Sequence, residues 1–324
     1  MANNYVFCIY PDNGSGVWFG TANGASFFSG SSWSTYRDSL QYSVFTQNGT
    51  ETACVVSAIN RGKDGSLWFG TEGGGLVRYN LGNKIASWQK YYPPDIPSSF
   101  VTSVATEIQQ LGEVWVGSVG SGVGRFIPAP SSINPNDGTW DVYTRSEGHL
   151  SSDLIRAVGN DPTDNSIWMT MDGIGAIQYD ITNDRWGSTY PLPAALRTAV
   201  TSIAFDQANN VWLGTWQGVY AVNANTGATL NTYVGGDSLT HGKLPYSEVN
   251  TVTTDYNVTR WFGTNNGLTE NKDTSWTLFT RANTQGKLPS DTINAVAYDN
   301  HGNLWIATPN GIAAYNPKGT LLSQ

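Results

Sequence analysis

The sequence predicts an all-β protein, a seven-bladed β-propeller with four antiparallel strands per blade. Three observations carry that expectation. A tryptophan-centred motif occurs seven times, its copies are evenly spaced, and the composition suits short strands joined by tight turns. The copies read GVWFGTANGAS, SLWFGTEGGGL, EVWVGSVGSGV, SIWMTMDGIGA, NVWLGTWQGVY, TRWFGTNNGLT and NLWIATPNGIA, centred on Trp18, Trp68, Trp115, Trp168, Trp212, Trp261 and Trp305. Successive tryptophans are 50, 47, 53, 44, 49 and 44 residues apart, a period that marks a repeat architecture. Charged residues are only 13% of the chain, against 36 Gly and 13 Trp, so little helix is expected.

The last copy shows the elements in order. INAVAY alternates apolar and small residues and reads as a strand, DNHGN as a turn, LWIAT as a second strand, PNG as a tight turn and IAAY as a third strand. Other copies add a fourth strand with its own aromatic pair, at residues 32–36, 87–92, 139–143, 185–190 and 275–279. Four short antiparallel strands in ~45 residues make one propeller blade. Seven blades fill residues 1–324 as a single domain. The repeated indole sits in the second strand, where it can pack between blades. Thr71 and its equivalents are expected to satisfy backbone groups at the turn. The glycine-rich run LWFGTEGGGL is therefore a hairpin; a phosphate loop would need Gly-Lys-Ser/Thr entering a helix.

The chain ends set the expectation for ring closure. Only four residues precede YVFCIY, so no N-terminal strand is available to complete the last blade. That blade must draw its outer strand from GTLLSQ (319–324) or lack one, and closure is expected from side-chain packing between blades 1 and 7.

Bulk properties exclude several functions. A net charge of −8 argues against nucleic acid, which needs a basic face. No apolar run reaches a membrane-spanning length, and MANNYVFCIY shows no charged leader followed by an apolar stretch, so neither membrane insertion nor a signal peptide is expected. Cys8 and Cys54 lie at the first strands of neighbouring repeats; two free thiols are expected ahead of a disulfide, and two cysteines make no stapled framework.

The repeats LPSDTINAVAYDNHGNLWIATPNGIAAYNP and DGSLWFGTEGGGLVRYN resemble the two-component regulator propeller repeat. That resemblance implies an extracytoplasmic sensor domain of a hybrid histidine kinase, of the kind that detects oligosaccharides from polysaccharide breakdown. The chain departs from the full sensor pattern: these residues carry no second propeller, immunoglobulin-like domain, membrane span or kinase. Ligand binding by a free-standing or excised monomeric propeller is the expectation, at a periplasmic or secreted location.

Binding is expected on the face shared by the outer-to-inner loops and the turns between second and third strands, at the channel mouth. Of the 13 tryptophans, seven anchor second strands, and Trp33, Trp88, Trp140, Trp186 and Trp276 sit in fourth strands. Trp216 alone fits neither role. It occupies a turn where other copies carry small or polar residues, and its indole suits stacking on a sugar ring. Gln217, Asn23, Glu72, Asp172, Asn265 and Asn310 are the polar candidates beside it.

An enzyme is the alternative. Glu147-Gly148-His149, with His241 on the same face, is similar to the Glu-x-His pair and further histidine of streptogramin lyases, seven-bladed propellers that use magnesium; a carboxylate and an imidazole can do general acid–base work. Loop register speaks against it: His149 occupies the slot of Lys243 and Lys287, and Glu147 that of His241 and Gln285. His301 lies in a turn on the opposite face. Asp153, Asp172 and Glu72 are nominal carboxylates for glycoside hydrolysis. No cofactor or metal motif is legible. A third expectation is a protein-interaction scaffold, with RDSLQYSVFTQNGTETA (37–53) as the contact loop.

Overall fold

The computed structural model describes residues 1–12, 14, 16–37, 55–80, 87–129, 138–235, 244–255, 259–272, 274–316 and 320–323. It contains seven four-stranded antiparallel sheets, each made of four strands consecutive in the chain. Blade 1 runs Val6–Asp12, Gly16–Thr21, Gly24–Phe28 and Trp33–Tyr36, from the centre outwards. The innermost strands pack on one another around the ring, and that of blade 7 (Ala295–Tyr298) returns to that of blade 1. Among the described residues the helical content is two short 3-10 turns, Arg145–Glu147 and Ala194–Leu196.

All seven motif tryptophans are buried in second strands, and each touches an aromatic ring of the following blade. Trp18 meets Phe69 edge-on with centroids 5.4 Å apart, and Trp305 meets Phe19 the same way at 5.7 Å. Each buried cluster therefore spans two blades. The cluster joining Val6, Val17 and Phe19 to Trp305, Ala307 and Ile312 closes the ring.

The turn after the second strand is locked from within. The hydroxyls of Thr21, Thr71, Thr215, Thr264 and Thr308 donate to the carbonyls of Gly24, Gly75, Gly218, Gly267 and Gly311, and Ser118 donates to Gly122. Gly75 has φ +76°, a conformation that favours glycine. Gly70, one residue before Thr71, faces the neighbouring blade: a Cβ there would lie 2.7 Å from Val101 Cγ1.

A second set of bonds latches each blade to the next. The residue after the buried position that opens each blade, at or just before the innermost strand, donates its side chain to the matching carbonyl of the next blade: Ser57 to Val101 (2.5 Å), Thr102 to Ile155 (2.7 Å), Thr201 to Val249 (2.5 Å), Asn250 to Ile293 (3.1 Å) and Asn294 to Val6 (2.7 Å). Two blades depart. In blade 1 the slot holds Phe7, and the Cys8 thiol donates to Val56 at 3.5 Å instead. In blade 4 it holds Arg156, and Thr170 reaches the Val200 carbonyl at 3.2 Å.

The last blade has its own outer strand, Thr320–Ser323, paired with Gly311–Asn316. Closure thus rests on packing and the Asn294 latch. Burial pushes the Cys8 thiol up to about 12, so it stays protonated and unreactive at neutral pH. Cys54 and residues 38–53 of the expected contact loop lie outside the described residues. Blade 5 has a fourth strand, Thr229–Val234, without a tryptophan; its Tyr233 stacks on Trp212.

Candidate functional site

Blade 4 breaks the repeat in three adjacent places. Besides Arg156 in the latch slot, Thr170 stands where five other blades have glycine and blade 7 has Ala307, and Met171 stands where the others have the turn-locking Thr or Ser. Its innermost strand, Val158–Asn160, has three residues, against four to seven elsewhere. These departures lie at the loop-and-turn face, beside Trp216 of blade 5.

Trp216 is 47% exposed, whereas the seven anchoring indoles are buried. Its backbone N–H donates to the Ala199 carbonyl at 3.3 Å, which fixes the turn on the first residues of its own blade. Over its ring, with Cζ 5.3 Å from the centroid, lies the guanidinium of Arg156. Arg156 Nε donates to Asp172 Oδ2 at 2.7 Å, and Asp172 Oδ1 accepts the Val200 N–H at 3.0 Å. Asp172 therefore has one bond to each oxygen, and its task is to hold Arg156. The sequence placed Asp172 beside Trp216 as a ligand contact; the structure joins the two through an arginine that the sequence reading passed over. Writing the seven latch-slot residues in register would have exposed it, because arginine is the one charged side chain among them.

The other candidates are spread around the same face. Gln217 is exposed next to Trp216, with its N–H on Thr215 Oγ1 at 3.1 Å. Asn23 and Asn310 likewise give their N–H groups to Thr21 and Thr308 at 3.2 and 3.1 Å. Asn265 donates to Glu248 Oε2 at 2.6 Å and accepts from Asn250 Nδ2 at 2.8 Å. Glu72 is exposed and bridges by its backbone to Phe100; partial burial raises its carboxyl pKa. Tyr5, Phe100, Val119 and Leu154 are exposed apolar residues at the loop or turn ends of blades 1, 3 and 4.

Of the alternative acid–base group, Glu147 and His149 lie among the described residues, and each is engaged by a neighbour. Glu147 Oε2 accepts the Thr144 N–H at 3.0 Å, closing a capping box on the short 3-10 turn. His149 is exposed and stacks on Trp186, with centroids 5.7 Å apart. His241 lies outside the described residues. Asp153 Oδ1 accepts the Arg145 N–H at 2.6 Å, a loop-bracing bond. Among the described residues no group of three or more His, Cys, Asp or Glu side chains is placed to hold a metal ion.

Two of the cavities among the described residues open on the opposite face, at the channel floor and at the seam between blades 1 and 7. One, about 450 Å³, is lined by Thr163, Asp206, Asp255, Tyr298 and Asp299 at the channel floor. Asp206 and Asp299 accept the indole N–H groups of Trp212 and Trp305 at 3.0 and 2.9 Å. The other, about 240 Å³, lies between blades 1 and 7 against Phe28, Trp305 and the exposed His301.

A family model described as the two component regulator propeller matches residues 1–23 and 287–310, which hold the innermost strands of blades 1 and 7 and the turns after their second strands. Over 173 residues, 51% of this chain, the sequence is 24% identical to Histidine kinase P4 of Formosa agariphila, of which it spans 12%. The extracellular domain of a B. thetaiotaomicron protein named as a hybrid two component system has the same fold, with TM-score 0.73 at 20% identity over 96% of this chain and 40% of that one. Virginiamycin B lyase from Staphylococcus aureus is similar at TM-score 0.61 and 17% identity, over 83% of each chain. At such identities the structural likeness is one of fold. The chain spans less than half of the curated relative and of the extracellular domain.

Proposed function

We propose that the chain is a non-catalytic, sensor-type ligand-binding domain that works outside the cytoplasm, a reading supported by the match of residues 1–23 and 287–310 to the two component regulator propeller. Its ligand is a carbohydrate-like small molecule held at the channel mouth, with Trp216 as the stacking platform. The observation that carries this reading is the exposure of Trp216, 47% in a protein that buries its seven repeat indoles. A large flat apolar side chain, backed by a bonded guanidinium and rimmed by Gln217, gives a ring-shaped ligand both a face to cover and polar groups at its edge. The extracellular sensor domain with the same fold supports the location and the role. The lyase alternative has less support, because Glu147 is engaged in the capping box and His149 against Trp186.

A glycan array followed by isothermal titration calorimetry tests the proposal. Trp216→Ala is expected to weaken binding of any array hit by roughly tenfold or more, as truncation of a central aromatic anchor does. Unchanged affinity would remove Trp216 from the site.

A further inference from the structure

The latch slot carries a signal that the turn residues do not. In five blades it holds Ser, Thr or Asn, short side chains whose reach ends at the next blade's carbonyl. Blade 4 has given that bond to Thr170, so Arg156 makes no hydrogen bond to the next blade's carbonyl. Arg156 is nevertheless fixed: Asp172 holds Nε, and the Trp216 ring lies beneath the guanidinium. Its side chain is one-third exposed, and among the described residues Nη1 and Nη2 have no hydrogen-bond partner. What remains is the outer edge of a permanently charged, planar, donor-only group, held in place at the rim of the expected binding face.

We propose that Arg156 is the specificity-determining residue of this site and that the ligand carries an anionic group with two oxygens side by side, either a uronate carboxylate or a sulfate ester. This rests on the binding reading above and narrows it. A guanidinium edge presents paired N–H donors at a spacing that such a group accepts in two parallel bonds, while a neutral hydroxyl can accept one and leaves the other donor unused. Asp172 does not compete for the ligand, because both of its oxygens are bonded to the protein. The net charge of −8 makes the protein as a whole repel anions, so a dedicated cation at the mouth is what retention of an acidic sugar requires. An anion bound at this edge lies beside the indole, within reach of a sugar ring stacked on Trp216.

The test is an array holding uronate-bearing, sulfated and neutral oligosaccharides, with hits titrated against wild type, Arg156→Gln, Arg156→Lys and Trp216→Ala. The expected hits are in the acidic classes, and methyl esterification or desulfation of each hit tells which group is read. Arg156→Gln is expected to lower affinity roughly 10- to 100-fold. Arg156→Lys, which keeps the charge and loses the fork, should fall between, and all acidic-ligand affinities should drop with added salt. Melting curves of both variants should lie close to wild type, because the Thr170 and Asp172 bonds to Val200 still join blades 4 and 5; if Arg156→Gln fails to fold, the Arg156→Lys titration and the salt series still decide. Neutral sugars bound equally by wild type and Arg156→Gln, and lost in Trp216→Ala, would overturn the anion proposal and leave the binding site standing. Binding of no member of the three classes would overturn the carbohydrate reading and this proposal with it.

Discussion

Single side chains here do one of two jobs, and their partners tell them apart. Glu113 is fully buried and grips Arg125 with both oxygens (2.5 and 2.9 Å) while accepting the Trp115 indole N–H at 3.0 Å. Every bond of that carboxylate is structural. Glu113→Ala would leave the buried guanidinium above Trp115 with the exposed Asp184 as its remaining carboxylate partner, at 2.8 Å, and a loss of ~3 kcal/mol is expected in urea unfolding. A paired hydrophobic replacement of Glu113 and Arg125 should cost less, since both charges then leave together. Glu107 gives the matching expectation in pH. Burial pushes its carboxyl up, but bonds from the Gly112, Gln110 and Gln109 backbone N–H groups outweigh that, and the net pKa is below the ordinary 4.5. A depressed folded pKa means stability present above 4.5 and lost as pH falls through the lowered value. Glu107→Gln should therefore melt lower than wild type at neutral pH, with the gap closing in acid; a gap that stays constant down to acid pH would show that the charge is not responsible. Arg156 belongs to the other class, since its remaining donors face out of the fold.

At the scale of one blade, the hairpin and its latch are separate devices, and blade 4 lets them be tested apart. Thr170→Val removes the hydroxyl that reaches Val200 while keeping the shape, so a loss of ~1 kcal/mol is expected. Arg156→Gln in the same blade should cost less than that, because its ion pair with Asp172 is partly exposed and the Thr170 bond to Val200 remains. The reverse order of effects would mean that the arginine, and not the threonine, holds blades 4 and 5 together. The same contrast explains what could be read from sequence. The indole and the Gly-Thr turn recur because their task is identical in each blade, so both stood out as a period. The latch slot holds Phe7, Ser57, Thr102, Arg156, Thr201, Asn250 and Asn294, which share no residue type. Its meaning appears only once the strands are aligned by their pairing, and Arg156 was invisible until then. Trp216 was legible because it broke a pattern already recognised. The outer strand Thr229–Val234 was not, because it lacks the tryptophan that marked five of the others.

For the molecule as a whole, the decisive contact is the one that joins its first blade to its last. Sheets in this ring are each completed by local chain, so no strand is shared between blades 1 and 7. What holds the seam is Trp305 against Phe19 and Phe28, together with the Asn294 bond to the Val6 carbonyl. The outer strand Thr320–Ser323 pairs with the third strand of its own blade and with no strand of blade 1. Two lesions in the last blade should then differ in kind. Truncation after Asn316 removes one edge strand and is expected to lower stability modestly, with cooperative unfolding retained. Trp305→Ala leaves every strand in place but empties the wedge between the first and last blades, and a cost of ~3–5 kcal/mol is expected. Denaturant titrations of the two variants side by side read this directly. If truncation abolishes folding while Trp305→Ala is tolerated, the ring is fastened by its terminal strand, and the inter-blade indoles are only filling. If the order is as expected, aromatic wedges hold the mouth on which Arg156 and Trp216 sit in shape all the way round, and the outermost strand of blade 7 has no share in it.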